Sequence, residues 1–154
     1  MPIDEFEEYG IHRMDADDIN QTLSNQSVGV LGLPTKSAPC LRPLSYWFNG
    51  DDRLYFVYVL GRDSQKVTLS DGGNVARFLV YRMDTTFNWR SILLTGSAER
   101  VSADEREAIE ERMSVSWRPE LFEGGTGPEN TRLYRFQIDD KAGIKQLQRP
   151  FTQK

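Results

Sequence analysis

The sequence predicts a mainly β protein, a small antiparallel barrel of six strands with two or three short peripheral helices. Three observations carry that expectation. Apolar runs of strand length recur along the chain, mostly joined by links short enough for hairpins. Asn49-Gly-Asp-Asp52 stands between two of these runs as a strong hairpin signal. Arg53 to Leu60 is apolar or aromatic on both faces, with Leu54, Phe56 and Tyr58 on one and Tyr55, Val57 and Val59 on the other. Such a strand is covered on both sides, as in a barrel wall that also forms a subunit contact.

The elements follow in order. Residues 1–13 form a polar N-terminal segment, ordered in part at best. Asp15 suits a helix N-cap, Asp18 favours the positive end of the helix dipole, and Ile19 and Leu23 lie four apart, giving a short amphipathic helix over 16–25. Ser27 to Leu33 reads as the first strand, with glycines that allow close approach by another backbone or a ligand. Cys40 to Phe48 is the second and Arg53 to Leu60 the third. Ser64 to Leu69 can form a short helix. Val75 to Met83 is the fourth strand and Trp89 to Val101 the fifth, with Gly96 placed for a bulge or bend. Ser102-Ala-Asp-Glu105 matches a capping box and starts a charged helix to about Met113, whose narrow Ile109 and Met113 stripe places it on the outside. Thr131 to Ile138 is the last strand. The expected division is a polar segment at 1–13, a domain at 14–140 and a basic tail at 141–154.

Composition excludes several function classes. At 154 residues the chain is long enough for one domain with a real core, and 38% hydrophobic content fits a soluble globular protein. A net charge of -4 argues against nonspecific affinity for nucleic acid or an anionic membrane surface. Cys40 is the single cysteine, so no intrachain disulfide can form and a reducing, cytoplasmic setting is expected. The acidic start does not read as a secretory signal, and no run approaches the roughly 20 apolar residues of a membrane span. His12 is the single histidine, which argues against a His-rich metal site, a Ser-His-Asp triad and a Cys-His dyad. No metal is expected. Glu105, Glu107, Glu110 and Glu111 read as the wet face of a helix.

Four short stretches carry candidate chemistry. In Gly61-Arg-Asp-Ser-Gln-Lys66, a hydroxyl, cations and backbone N–H groups at a helix start can hold a phosphate; a solvated polar turn is the alternative. Arg42-Pro-Leu-Ser-Tyr46 breaks an apolar strand with a proline, which removes a ladder donor and belongs at an edge or bulge. Backbone groups left open there can bind a planar heterocycle, or the stretch is an edge strand with an exposed Arg. Trp89-Arg90-Ser91 offers stacking, charge and a small hydroxyl, although core packing also accounts for Trp89. Trp117-Arg118-Pro119 repeats the aromatic-plus-Arg theme.

In this order, the helix at 16–25, Val28-Gly-Val-Leu-Gly32, Arg42-Pro-Leu-Ser45, Leu54-Tyr-Phe56, Ser64-x-Lys66 and Trp89 to Gly96 resemble the pyridoxamine 5'-phosphate oxidase-related, FMN-binding split-barrel superfamily, particularly its small flavin-nucleotide-binding members. The likeness spans roughly residues 15–139. It implies a six-stranded split barrel forming a homodimer, with two FMN sites at the subunit interface. It also implies that Arg42, Pro43, Leu44 and Ser45 run along the isoalloxazine and ribityl chain, and that Val59 and Leu60 flank them. Ser64 and Lys66 would hold the phosphate with help from Arg62, Arg90 and Ser91 would approach from the fifth strand, and Trp117 and Arg118 would close the site from the partner subunit. Gln65 stands where many relatives carry an arginine, so one cationic contact is missing from that loop.

The activity implied is that of an FMN-dependent oxidoreductase acting on a small molecule, with NADH or NADPH as a candidate electron donor. The chain is shorter than true pyridoxamine phosphate oxidases and carries no recognisable form of their C-terminal substrate-binding segment, so the vitamin B6 reaction itself is not part of the expectation. The alternatives are a flavin carrier or sensor without turnover, and a split barrel holding a deazaflavin or haem.

Overall fold

The structure is a computed structural model that describes residues 7–59, 75–113 and 131–147, the side chains of Tyr58, Val59 and Thr131 excepted. The elements are β1 (Ile11–Arg13), α1 (Ala16–Asn25), β2 (Val28–Leu33), β3 (Cys40–Ser45), β4 (Trp47–Phe48), β5 (Arg53–Val59), β6 (Val75–Thr85), β7 (Asn88–Arg100), α2 (Ala103–Arg112) and β8 (Thr131–Gln146). All strand pairings are antiparallel, in the order β3-β2-β6-β7-β8-β5-β4, with β1 added beside β8.

The two ends of this sheet, β3 and β4, are consecutive in sequence and separated by Tyr46 alone. The sheet must therefore curl until its edges meet. β3 and β5 approach each other without a ladder between them, so the barrel is closed by the covalent chain and split along that seam. The expected split barrel is thus the observed architecture.

Both described helices have the expected caps. Asp15 Oδ1 accepts from the Asp18 N–H at 2.8 Å, and Ser102 Oγ accepts from the Glu105 N–H at 3.3 Å. Helix α1 buries Ile19, Thr22 and Leu23, and α2 buries Ile109. The helix expected over 64–69 lies outside the described residues.

Three boundaries differ from expectation, each for a physical reason. The second expected strand is two, because at Tyr46 the chain passes from one sheet edge to the other. There the Tyr46 N–H donates to the Ser27 carbonyl at 2.9 Å, and its ring meets Phe78 edge-on at 5.6 Å. The N-terminal segment contributes β1, paired with β8 from Ile11↔Gln146 to Arg13↔Ile144.

The last strand runs on to Gln146, through residues expected to start a tail. Its register slips against β7 at Thr95/Gly96, where Asp139 is the extra residue. Beyond that bulge Lys141, Gly143 and Lys145 face α1. Lys145 Nζ donates to Asp18 Oδ2 at 2.6 Å and Lys141 Nζ to Asn20 Oδ1 at 2.8 Å, while a Cβ at Gly143 would meet the Met14 sulfur at 2.9 Å. The basic residues of the supposed tail are strand residues that dock a helix.

The core lines the inside of the curl, with Leu31, Leu54, Phe56, Phe78, Tyr134 and Phe136 among its fully buried members. Gly29 belongs to this surface, and the Phe78 ring occupies the place its Cβ would take, at 2.3 Å. The close approach that this glycine permits is made by the chain itself. Among the described residues no helix is long and apolar enough to cross a membrane.

Candidate functional site

Two features stand out as places for a ligand: the seam between β3 and β5, and a broad apolar area on the outside of the sheet. Strand β3 pairs only with β2, and β5 meets β4 only at Trp47↔Tyr55 and Phe48↔Leu54. One edge of β3 and the upper edge of β5 therefore face each other with no ladder between them among the described residues, an arrangement in which a ligand or water can meet backbone groups. Pro43 fits this edge position because it has no N–H to lose. Arg42, Pro43, Leu44 and Ser45 lie on the β3 side of the seam, and Val59 ends β5 on the other. Arg42 and Leu44 are half-buried toward the core, and Arg42 Nη1 donates to the Leu41 carbonyl at 3.3 Å. Pro43 and Ser45 face outward and are exposed.

Cross-strand register defines the outer area. Pro43, Val30, Leu79, Leu93 and Ala142 form one row across β3, β2, β6, β7 and β8. The adjacent row includes Tyr81, Ser91 and Ile144, with Arg13 of β1 at its end. Tyr81 is 55% exposed, Met83 65% and Leu41 59%. Two depressions mark this face. One of about 280 Å³ is bordered by Val28, Val30, Pro43 and Tyr81. The other, about 740 Å³, is bordered by Leu79, Ser91, Leu93 and Ile144, with Arg13 and Asp140 supplying opposite charges.

The residues expected to act together are divided by this geometry. Ser91 shares the outer face with Pro43 and Ser45, but three strand spacings separate β3 from β7, roughly 14 Å. Arg90 points the other way, beneath α1, where its Nε lies 3.9 Å from Asp18 Oδ1. It borders a polar cleft of about 160 Å³ together with Gln21, Asn25 and Arg82. Within one chain, Arg90 thus joins neither the seam nor the outer face. Leu60, Arg62, Ser64, Gln65, Lys66, Trp117 and Arg118 lie outside the described residues.

Sequence reasoning assigned the two-sided apolar signal of β5 to a subunit contact. In the structure that second face is closed within the chain: Tyr55 is 2% exposed and its strand neighbour Leu133 1%. Helix α2 is anchored there by Arg135 Nη1 donating to Glu105 Oε2 at 3.1 Å. The uncovered two-sided strand is β6, where Phe78 and Val80 are buried while Leu79 and Tyr81 look outward. Phe78-Leu-Val-Tyr81 carries the same two-sided apolar signal in the sequence. Among the described residues no group of three or more His, Cys, Asp or Glu side chains is placed to hold a metal ion, and His12 is exposed on β1.

Comparison with known proteins agrees with this architecture. The sequence profile of the family described as pyridoxamine 5'-phosphate oxidase matches residues 15–145. No curated protein matches the sequence. Among solved structures, an FAD-binding protein from Mesorhizobium loti is similar with a TM-score of 0.74 at 18% identity, over 89% of this chain and 99% of that one. A conserved protein of unknown function from Corynebacterium diphtheriae has a TM-score of 0.65 at 24% identity, over 90% and 99%. An FAD and haem binding protein from Mycobacterium smegmatis has a TM-score of 0.69 at 15% identity, over 92% and 75%. At these identities the likeness establishes the fold.

Proposed function

The chain belongs to the pyridoxamine 5'-phosphate oxidase family, and we propose that it binds FMN at the interface of a homodimer and serves as a flavin-dependent oxidoreductase for a small molecule. The observation that carries this reading is the apolar row from Pro43 to Ala142, which begins at β3, the end strand of the described sheet. A flavin ring needs an apolar wall for its faces and hydrogen-bonding groups along its rim. The β3 edge at Arg42 to Ser45 offers both. When bound, the flavin supplies electron transfer between a donor such as NADH or NADPH and an acceptor, while the protein binds and orients it.

Two considerations support the dimer. The outer face leaves Tyr81, Met83 and Leu93 exposed beside one another, and an uncovered apolar area of this kind marks an interaction surface. Ser91 is also too far from Ser45 to serve the same ring in one chain. A second chain laid against this face would bring its own Ser91 to the first chain's β3.

The direct test is a visible absorption spectrum of the purified protein, followed by mass analysis of the released ligand. Flavin bands and the mass of FMN support the reading, whereas FAD, a deazaflavin or haem would replace the cofactor assignment. If the protein stays colourless and FMN fluorescence is not quenched on titration, flavin binding is excluded. Reduction by NADH or NADPH with passage of electrons to an acceptor separates an oxidoreductase from a flavin carrier or sensor.

A further inference from the structure

We infer that Arg132 forms an anion-binding position at the end of the β5–β8 ladder, one suited to a phosphate monoester or a similarly compact dianion. Arg132 is the cross-strand partner of Tyr58, next to the final pair Val59↔Thr131. By strand alternation it shares the core face with Tyr134 and Phe136, which are fully buried. Its Nε is buried, and among the described residues no hydrogen-bond acceptor reaches it.

A buried guanidinium N–H without an acceptor loses its hydration with no return, a cost that native structures rarely leave standing. Arg135, three residues further along the same strand, shows the usual remedy. It lies on the opposite face and pairs with Glu105 at 3.1 Å and Glu99 at 3.6 Å. Among the described residues no carboxylate pairs with Arg132. The strand that carries its partner Tyr58 borders the open seam with β3, so a ligand can supply the missing acceptor. The planar guanidinium fork matches phosphate oxygens in a two-point contact, which favours that class over a monoanion such as chloride.

The position itself stands on the orphaned donor; only the further identification of its anion as the phosphate of bound FMN rests on the functional reading above. The experiment uses the full chain, stripped of ligand and labelled with nitrogen-15, and follows the Arg132 Nε–H resonance during titration with inorganic phosphate. A saturable shift is expected, and Arg132→Gln should weaken phosphate binding at least tenfold while Arg132→Lys retains part of it. An unmoved resonance, or an Arg132→Gln protein binding phosphate within twofold of the parent, overturns the inference. Should Arg132→Gln fail to fold, the parent's resonance alone decides.

A second arm compares FMN with riboflavin in the parent and in Arg132→Gln. A preference for FMN that disappears in the variant identifies the anion as the flavin phosphate. Equal binding of FMN and riboflavin by the parent removes the flavin phosphate as the anion and leaves flavin binding intact. A phosphate response without binding of either flavin keeps the anion position and excludes the flavin reading.

Discussion

The phenol of Tyr46 donates a 2.8 Å hydrogen bond to the backbone carbonyl of Leu23 in the last turn of α1. That carbonyl is one of the groups a helix end leaves without an intrahelical partner. Tyr46 is also the one residue between the two ends of the described sheet, so a single side chain ties the barrel closure to the helix that packs against it. Burial pushes its phenol well above the ordinary tyrosine value, so the group stays neutral and keeps its donor proton.

Tyr46→Phe removes that donor and leaves the Leu23 carbonyl unsatisfied. The expected loss is about 1–2 kcal/mol of unfolding free energy, read from urea denaturation. Because the ring and its edge-on contact with Phe78 remain, the fold should persist, with near-ultraviolet circular dichroism close to that of the parent.

Gly96 of β7, opposite the bulge at Asp139, gives a test with an internal control. A Cβ on Gly96 would stand 1.9 Å from the Gln137 carbonyl oxygen, a backbone atom that cannot turn aside. At Gly32 the nearest atom is the end of the Leu41 side chain, at 3.4 Å. Gly96→Ala should therefore cost roughly 3 kcal/mol or more, at the upper end of overpacking effects, and Gly32→Ala less than about 1 kcal/mol. Thermal unfolding of the two variants side by side decides it, and equal losses would contradict the bulge geometry.

Helix α1 is held to β8 and β7 through Asp18, which accepts from Lys145 at 2.6 Å and lies 3.9 Å from Arg90. The carboxylate is about one-fifth exposed, which places the pair between surface and buried behaviour. A double-mutant cycle with Asp18→Ala and Lys145→Met should return a coupling of about 1 kcal/mol. The same cycle with Arg90→Met, whose Nε lies at the longer distance of 3.9 Å, should give a clearly smaller value.

Acid should act at the β4–β5 hairpin. The hydrogen bond from Gln137 to Asp52, at 3.0 Å, holds the Asp52 carboxyl below its usual range, assisted by Asn49 and the charge of Arg53 and opposed by desolvation. A carboxyl with a depressed folded pKa contributes stability that is fully present above about pH 5 and is lost as pH falls through the folded value. Asp52→Asn should flatten the acid limb of stability between pH 5 and pH 2 while changing little of its slope above pH 6. Urea midpoints measured across that range provide the check.

The outer face is tested by charge. Leu93→Glu places a carboxylate in the middle of the apolar row, where an isolated chain can solvate it at little cost, within about 0.5 kcal/mol. A dimer closed over that face cannot. Light scattering after size exclusion should report a dimer for the parent and a monomer for the variant, with FMN affinity falling in parallel. A variant that remains a dimer would place the interface elsewhere.

Local signals were legible in the sequence wherever one residue type does one local job. Asp15 and Ser102 cap helices because their side-chain oxygens reach N–H groups three residues on, whatever the rest of the chain does. Apolar runs of strand length marked β2, β5, β6 and β7, Asn49-Gly-Asp-Asp52 marked the hairpin, and Gly96 marked the position opposite the bulge at Asp139. The proline of Arg42-Pro-Leu-Ser45 marked an edge strand. The order of these stretches was enough to identify the split barrel.

Tertiary structure decided which face of each strand is covered, since that depends on neighbours distant in sequence. Tyr55 and Tyr81 are both aromatic residues in two-sided apolar strands, yet one is buried on the α2-covered side and the other is exposed on the open face. Lys141 and Lys145 read as a basic tail until the one-residue slip at Asp139 turned them toward Asn20 and Asp18. The same dependence on register separated Arg90 from Ser91 and set the Arg132 Nε on the buried side without an acceptor. In a sheet whose side chains alternate with period two, a shift of one residue exchanges the faces, and only the assembled pairings fix that shift.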